Sequence, residues 1–161
     1  MNSWSQVINH GLERLSFTLW VGGMIAVAVA VMVLFSNIAD RALAGDIAGQ
    51  LFNIINYVGV ACAVLLLILW FLRNGGATLK RWQSWAVFIM LLVVVASQWV
   101  IRPEIDAVRV KRDAAANGPS AEPLRNQFRK LHGLSFTLYF LNMTIGLAVV
   151  FSPVSGRREH G

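Results

Sequence analysis

Cysteine, charge and acidic residues are all scarce in this chain of 161 residues, and each scarcity removes a class of protein. The single cysteine, Cys62, lies inside an apolar run, which excludes an intrachain disulfide and any zinc or iron–sulfur cage built from thiolates. Charged residues make up 14% of the chain against 57% hydrophobic, so water is not its main solvent. The 8 acids are outnumbered by 14 lysines and arginines, a net charge of +6 that in a soluble protein would point towards nucleic acid. Here the cations sit between apolar runs, where they hold loops at anionic headgroups and set orientation, so no nucleic acid is expected as a partner. Catalytic signatures are missing too. There is no Gly-rich phosphate loop, no His-Glu-x-x-His run and no nucleophile elbow ahead of a predicted helix.

What is there is long apolar stretches. The run 15–35, LSFTLWVGGMIAVAVAVMVLF, carries no charge and covers roughly 30 Å of hydrocarbon as a helix. It is too long for the h-region of a signal peptide, and further runs follow it, so cleavage after Ala42-Leu43-Ala44 is not expected. Three more runs, 51–72, 84–101 and 132–151, bring the number of expected spans to four. The third is expected to stop at Arg102-Pro103 and the fourth at Ser152-Pro153, because proline lacks the N–H and clashes with the preceding turn. An even number of crossings returns both termini to one side, the terminal side, and leaves two loops on the other, the loop side. The fold class is therefore all-α, a four-helix transmembrane bundle forming a single domain over residues 1–161. Trp20, Trp70, Trp82, Trp85 and Trp99 fall near run ends, as an interfacial belt would. Small residues at Gly22, Ala26 and Ala30, and at Gly59 and Ala63, form stripes where helices can approach closely.

Residues 102–131 form a polar connection. Pro103 suits the first position of a new helix, with Glu104 and Asp106 in its first turn and Lys111 and Arg112 towards its end. That helix is expected to end near Asn117-Gly118-Pro119, after which Ser120 caps another in which Leu124, Phe128 and Leu131 line one face. An amphipathic hairpin on the membrane surface is the expectation, and a solvated basic loop is the alternative. Eight basic residues on the loop side against six on the terminal side differ too little to assign orientation by the positive-inside rule.

Helix direction places Asn53, Asn56, Gln98, Arg102, His132 and Ser135 at the loop-side end of the bundle, paired on one face of each helix by three- or four-residue spacing. They form either a polar vestibule or a set of interhelical hydrogen bonds and snorkelling ends. His10 and Glu13 lie at the opposite end, so His10 and His132 cannot flank one haem. Met24, Met90 and Met143 fall near mid-depth, where core filling competes with soft-metal ligation.

Several segments together resemble a known family. Trp20-Val21-Gly22-Gly23-Met24, Asp40-Arg41-Ala42-Leu43-Ala44-Gly45, Arg102-Pro103-Glu104-Ile105 and Phe128-Arg129-Lys130-Leu131-His132-Gly133-Leu134-Ser135 are similar to the bacterial domain of unknown function 4149 family. That family is itself similar to eukaryotic transmembrane protein 205. The resemblance implies a four-span protein of the bacterial inner membrane with no assigned activity, and through the eukaryotic relative it hints at traffic or efflux. A more distant resemblance, carried by Trp20 to Gly23, is to membrane proteins of the copper-resistance D type, but their first-helix histidine is replaced here by Glu13.

Three functions follow as expectations. The first is a non-enzymatic transport or accessory component without a cofactor, whose partners are the lipid bilayer and a small polar solute, headgroup or protein. The second is a haem-dependent or copper-handling redox protein, which requires His10 or His132 as a ligand. The third is a lipid-facing structural protein whose polar groups are spent on one another.

Overall fold

A computed structural model of the chain describes residues 3–115, 118 and 121–152. Helix α1 (Ser3–Phe17) passes through a π turn (Thr18–Gly22) into α2 (Gly23–Asn37). After a short break α3 (Arg41–Asn74) returns, followed by a 3-10 turn (Gly75–Lys80). Then α4 (Trp82–Ala96) runs through a second π turn (Ser97–Ile101) into α5 (Arg102–Ala115), and α6 (Ala121–Phe151) completes the described fold. Four of these helical stretches are long and apolar enough to cross a membrane. In the most apolar part of each, between 17% and 33% of residues are buried within the protein, so each helix keeps a broad apolar surface suited to hydrocarbon.

The chain reverses where local chemistry favours it. Asp40 caps α3, its carboxylate accepting from the backbone N–H groups of Ala42 at 2.9 Å and Leu43 at 3.2 Å. At the other end of α3, Gly75 takes φ = +52°, a conformation that favours glycine, and leads into the 3-10 turn.

Two expected helix boundaries are corrected. The helix does not stop at Arg102-Pro103, because Arg102 is fully helical and α5 continues the third span. The widened turn at Ser97–Ile101 lies over the carbonyls that Pro103's ring would otherwise strike, so the proline is accommodated. Likewise α6 has no break ahead of His132: nothing between Arg125 and Leu131 interrupts a helix, and the polar segment and the fourth span are one rod. α5 packs on the first turns of α6, with the Arg112 guanidinium 4.6 Å from the centre of the Phe128 ring. The expected turn at Asn117 and Pro119 and the Ser120 cap fall outside the described residues.

The core gathers Trp20, Val21 and Met24 from the first span, Ile55, Cys62, Ala63, Leu66 and Trp70 from the second, and Val87, Met90 and Val94 from the third. Tyr139, Met143 and Leu147 of the fourth pack against it, and the Tyr139 hydroxyl donates to the Met24 carbonyl across the bundle. Met24 and Met90 therefore fill the core. Trp20 and Trp70, expected in a belt, are 1% and 2% exposed and belong to the core, whereas Trp82, Trp85 and Trp99 face outwards.

The first small-residue stripe is also corrected, since Gly22 and Ala26 are exposed and the close approach is made by Gly23 instead. A Cβ there would lie 2.5 Å from Ile55 Cδ1. The π turn explains the shift, because its extra residue rotates all that follows and turns Val21 and Met24 inwards. The second stripe is at an interface: Ala63 is buried, and a Cβ on Gly59 would lie 2.4 Å from Trp20 Nε1. Gly146 closes the fourth span in the same way, against Val21 and Met90.

Candidate functional site

At the loop-side end the structure brings three of the six polar residues together. Asn56 Nδ2 donates to Gln98 Oε1 at 3.3 Å, and Gln98 Nε2 donates in turn to Asn53 Oδ1. Asn53 and Asn56 reach Gln98 from one face of α3, as their three-residue spacing requires. Gln98 sits on the second π turn and is 9% exposed. Asn53 and Asn56 are half-buried. The result is a linear chain of amides in which the Asn53 amide N–H groups and the Asn56 carbonyl oxygen remain at its two ends.

The other three residues lie elsewhere. Arg102 is half-exposed, with its Nε 3.9 Å from Asp106 one turn on along α5. His132 is exposed and stacks parallel to Phe128, ring centres 5.9 Å apart. Ser135 is half-buried on the same helix. A further contact ties this end together, an ion pair from Arg109 of α5 to Asp46 near the start of α3.

The terminal-side end holds a cluster organised around Glu13. One carboxylate oxygen accepts from Trp70 Nε1 at 2.9 Å, and the other lies 3.4 Å from Arg73 Nη1 and 3.9 Å from His10 Nδ1. Arg81 lies 5.7 Å above the Trp70 ring, and the Thr78 hydroxyl donates to the Trp70 carbonyl at 2.8 Å. Glu13 just ahead of the first span and Arg73 just behind the second must lie at one membrane surface, so opposite charge at matching depth was the available signal for this pair. Asn142 was harder to find. It is 3% exposed with its Oδ1 unpartnered among the described residues, on the face of α6 that also carries Tyr139 and Gly146. A single amide in the middle of an apolar run is its only mark in the sequence.

A cavity of about 510 Å³ opens between the end of α3, the 3-10 turn and the start of α4, walled by Leu67, Phe71, Leu79, Trp85 and Phe88. A second, of about 320 Å³, lies by the same turn and is lined by Asn74, Lys80, Arg81 and Gln83 among others. Among the described residues no group of three or more His, Cys, Asp or Glu side chains gathers as a metal site would require.

Four apolar helices, outward hydrocarbon-facing residues and polar clusters at both ends define a multi-pass helical membrane protein. Residues 15–114 match the family described as Domain of unknown function (DUF4149), and the chain belongs to that family. Neither a curated protein nor a solved structure matches it.

Proposed function

We propose that the protein is a non-catalytic component of the bacterial cell membrane, a small transport or accessory protein that engages a polar solute, lipid headgroup or protein partner at the Asn53–Gln98–Asn56 amide chain. The observation that carries this reading is the position of Gln98. It lies on a π turn, a distortion found frequently at functional sites, and it holds two half-buried amides so that one presents a donor and the other an acceptor. A polar group near hydrocarbon costs several kcal/mol when unpaired, so a site that supplies both halves of a hydrogen bond selects neutral polar or zwitterionic groups. Arg102, Asp106, Asp46 and Arg109 lie beyond the amides towards the loop side, which suits a partner that arrives from water or from the headgroup layer. A traffic role is also what the resemblance to transmembrane protein 205 implies.

The test is to extract the wild-type protein and the Asn53→Leu and Asn56→Leu variants in mild detergent and to compare the small molecules each releases on denaturation. A binding site predicts a compound carried by the wild type and lost from both variants, with stability altered by no more than about 1 kcal/mol. Identical content together with lowered stability in both variants would leave the amides as interhelical fastening alone and end this reading.

A further inference from the structure

The terminal-side cavity faces the bilayer and is not explained by the loop-side amides. Its walls are apolar and outward-facing: Phe71, Leu79, Trp85 and Phe88 are all exposed on the protein surface. Trp85 is held in place by a 2.9 Å hydrogen bond from its Nε1 to the Leu79 carbonyl and by an edge-on contact with Phe88. The groove is therefore kept open by a braced wall.

Charge indicates what fills it. Lys80 is exposed and lines the adjoining cavity with Arg81. The carboxylate described at this end, Glu13, is already engaged by Trp70 and Arg73, which leaves the Lys80 ammonium without a counter-charge among the described residues.

We infer that this groove binds an anionic glycerophospholipid of the terminal-side leaflet. One acyl chain lies along Leu67, Phe71 and Phe88, and the phosphate faces Lys80. The depth order is that of the lipid itself, with the cation at headgroup level and the apolar walls beyond. A volume of about 510 Å³ accommodates a large part of one chain. This inference is independent of the function proposed above, since it uses the opposite end of the bundle.

Native mass spectrometry of the full chain in mild detergent tests it, with phosphatidylglycerol and phosphatidylcholine of identical acyl chains as probes. The wild type is expected to retain phosphatidylglycerol about fivefold better, the worth of one basic residue near a membrane surface. Lys80→Gln should reduce that to parity, while Lys80→Arg keeps the preference and serves as the check that position 80 tolerates change. Leu67→Trp should exclude both by filling the groove, and Arg112→Gln at the other end should change nothing. Equal retention of the two lipids by the wild type, an unaltered preference in Lys80→Gln, or the same loss in Arg112→Gln would each overturn the assignment.

Discussion

Removing the Glu13 carboxylate should destabilise the bundle more than any other single charge deletion at the terminal side, and the structure gives the magnitude. Glu13→Ala leaves the indole N–H of Trp70, a residue 2% exposed, with no acceptor, and deprives Arg73 of the carboxylate 3.4 Å away. A hydrogen bond to a charged acceptor contributes about 1.5–3 kcal/mol. The Arg73 pair is partly open to solvent and adds less than about 1 kcal/mol. The expected loss is about 2–3 kcal/mol for Glu13→Ala, and less than about 1 kcal/mol for Glu13→Gln, whose amide oxygen can still accept from Trp70. Reversible unfolding in bicelles by steric trapping measures both, and Trp70→Phe completes a double-mutant cycle. Near-equal losses for the Ala and Gln variants, or additivity of Glu13→Ala with Trp70→Phe to within about 0.5 kcal/mol, would refute the reasoning.

Gly59→Ala should cost about 1–3 kcal/mol, because the new methyl would lie 2.4 Å from Trp20 Nε1 and that ring is 1% exposed; unfolding in the same bicelles checks it. Asn142→Leu should raise stability, by about 1 kcal/mol or more, since it replaces a buried oxygen without a partner among the described residues by a methyl group in a side chain of the same branched shape. A lowered midpoint for Asn142→Leu would show that the amide has a role the described residues do not reveal. Epitope tags placed ahead of residue 1 and after residue 161 should report the same side of the membrane in protease-protection assays, because the chain crosses it an even number of times.

The spans were legible because hydrocarbon thickness sets their length, and uninterrupted apolar runs of that length have few alternatives. Rotation about each helix axis was not legible in the same way. Trp20 and Trp70 look like belt residues by position along the chain, but position does not set the face each occupies; for Trp20 that depends on the π turn in which it sits, and a π turn has no clear signature in composition. The proline at 103 misled for the same reason, since the widened turn ahead of it absorbs the clash that normally ends a helix. In the loop-side set, Asn53, Asn56 and Gln98 met because short side chains on facing helices at one depth have little else to bond. Arg102 and His132 did not join them: a long cationic side chain finds its acid along its own helix, and an imidazole beside Phe128 gains more from stacking than from entering the bundle.

The two π turns have a consequence for how this chain tolerates change in length. Each represents one residue more than the α-helical repeat needs, so two of the spans are divided into an upper and a lower segment whose angular phases are set separately. Deleting a residue inside Thr18–Gly22 would convert that turn to α-helix and leave the segments on either side in nearly their present phases, because the residue lost is the one the bulge accommodates. A deletion elsewhere in the same span would keep the bulge and swing one segment by about 100° relative to the other. Single-codon losses outside the bulge are therefore a route by which such a protein can re-index which side chains face its neighbours without altering how often it crosses the membrane.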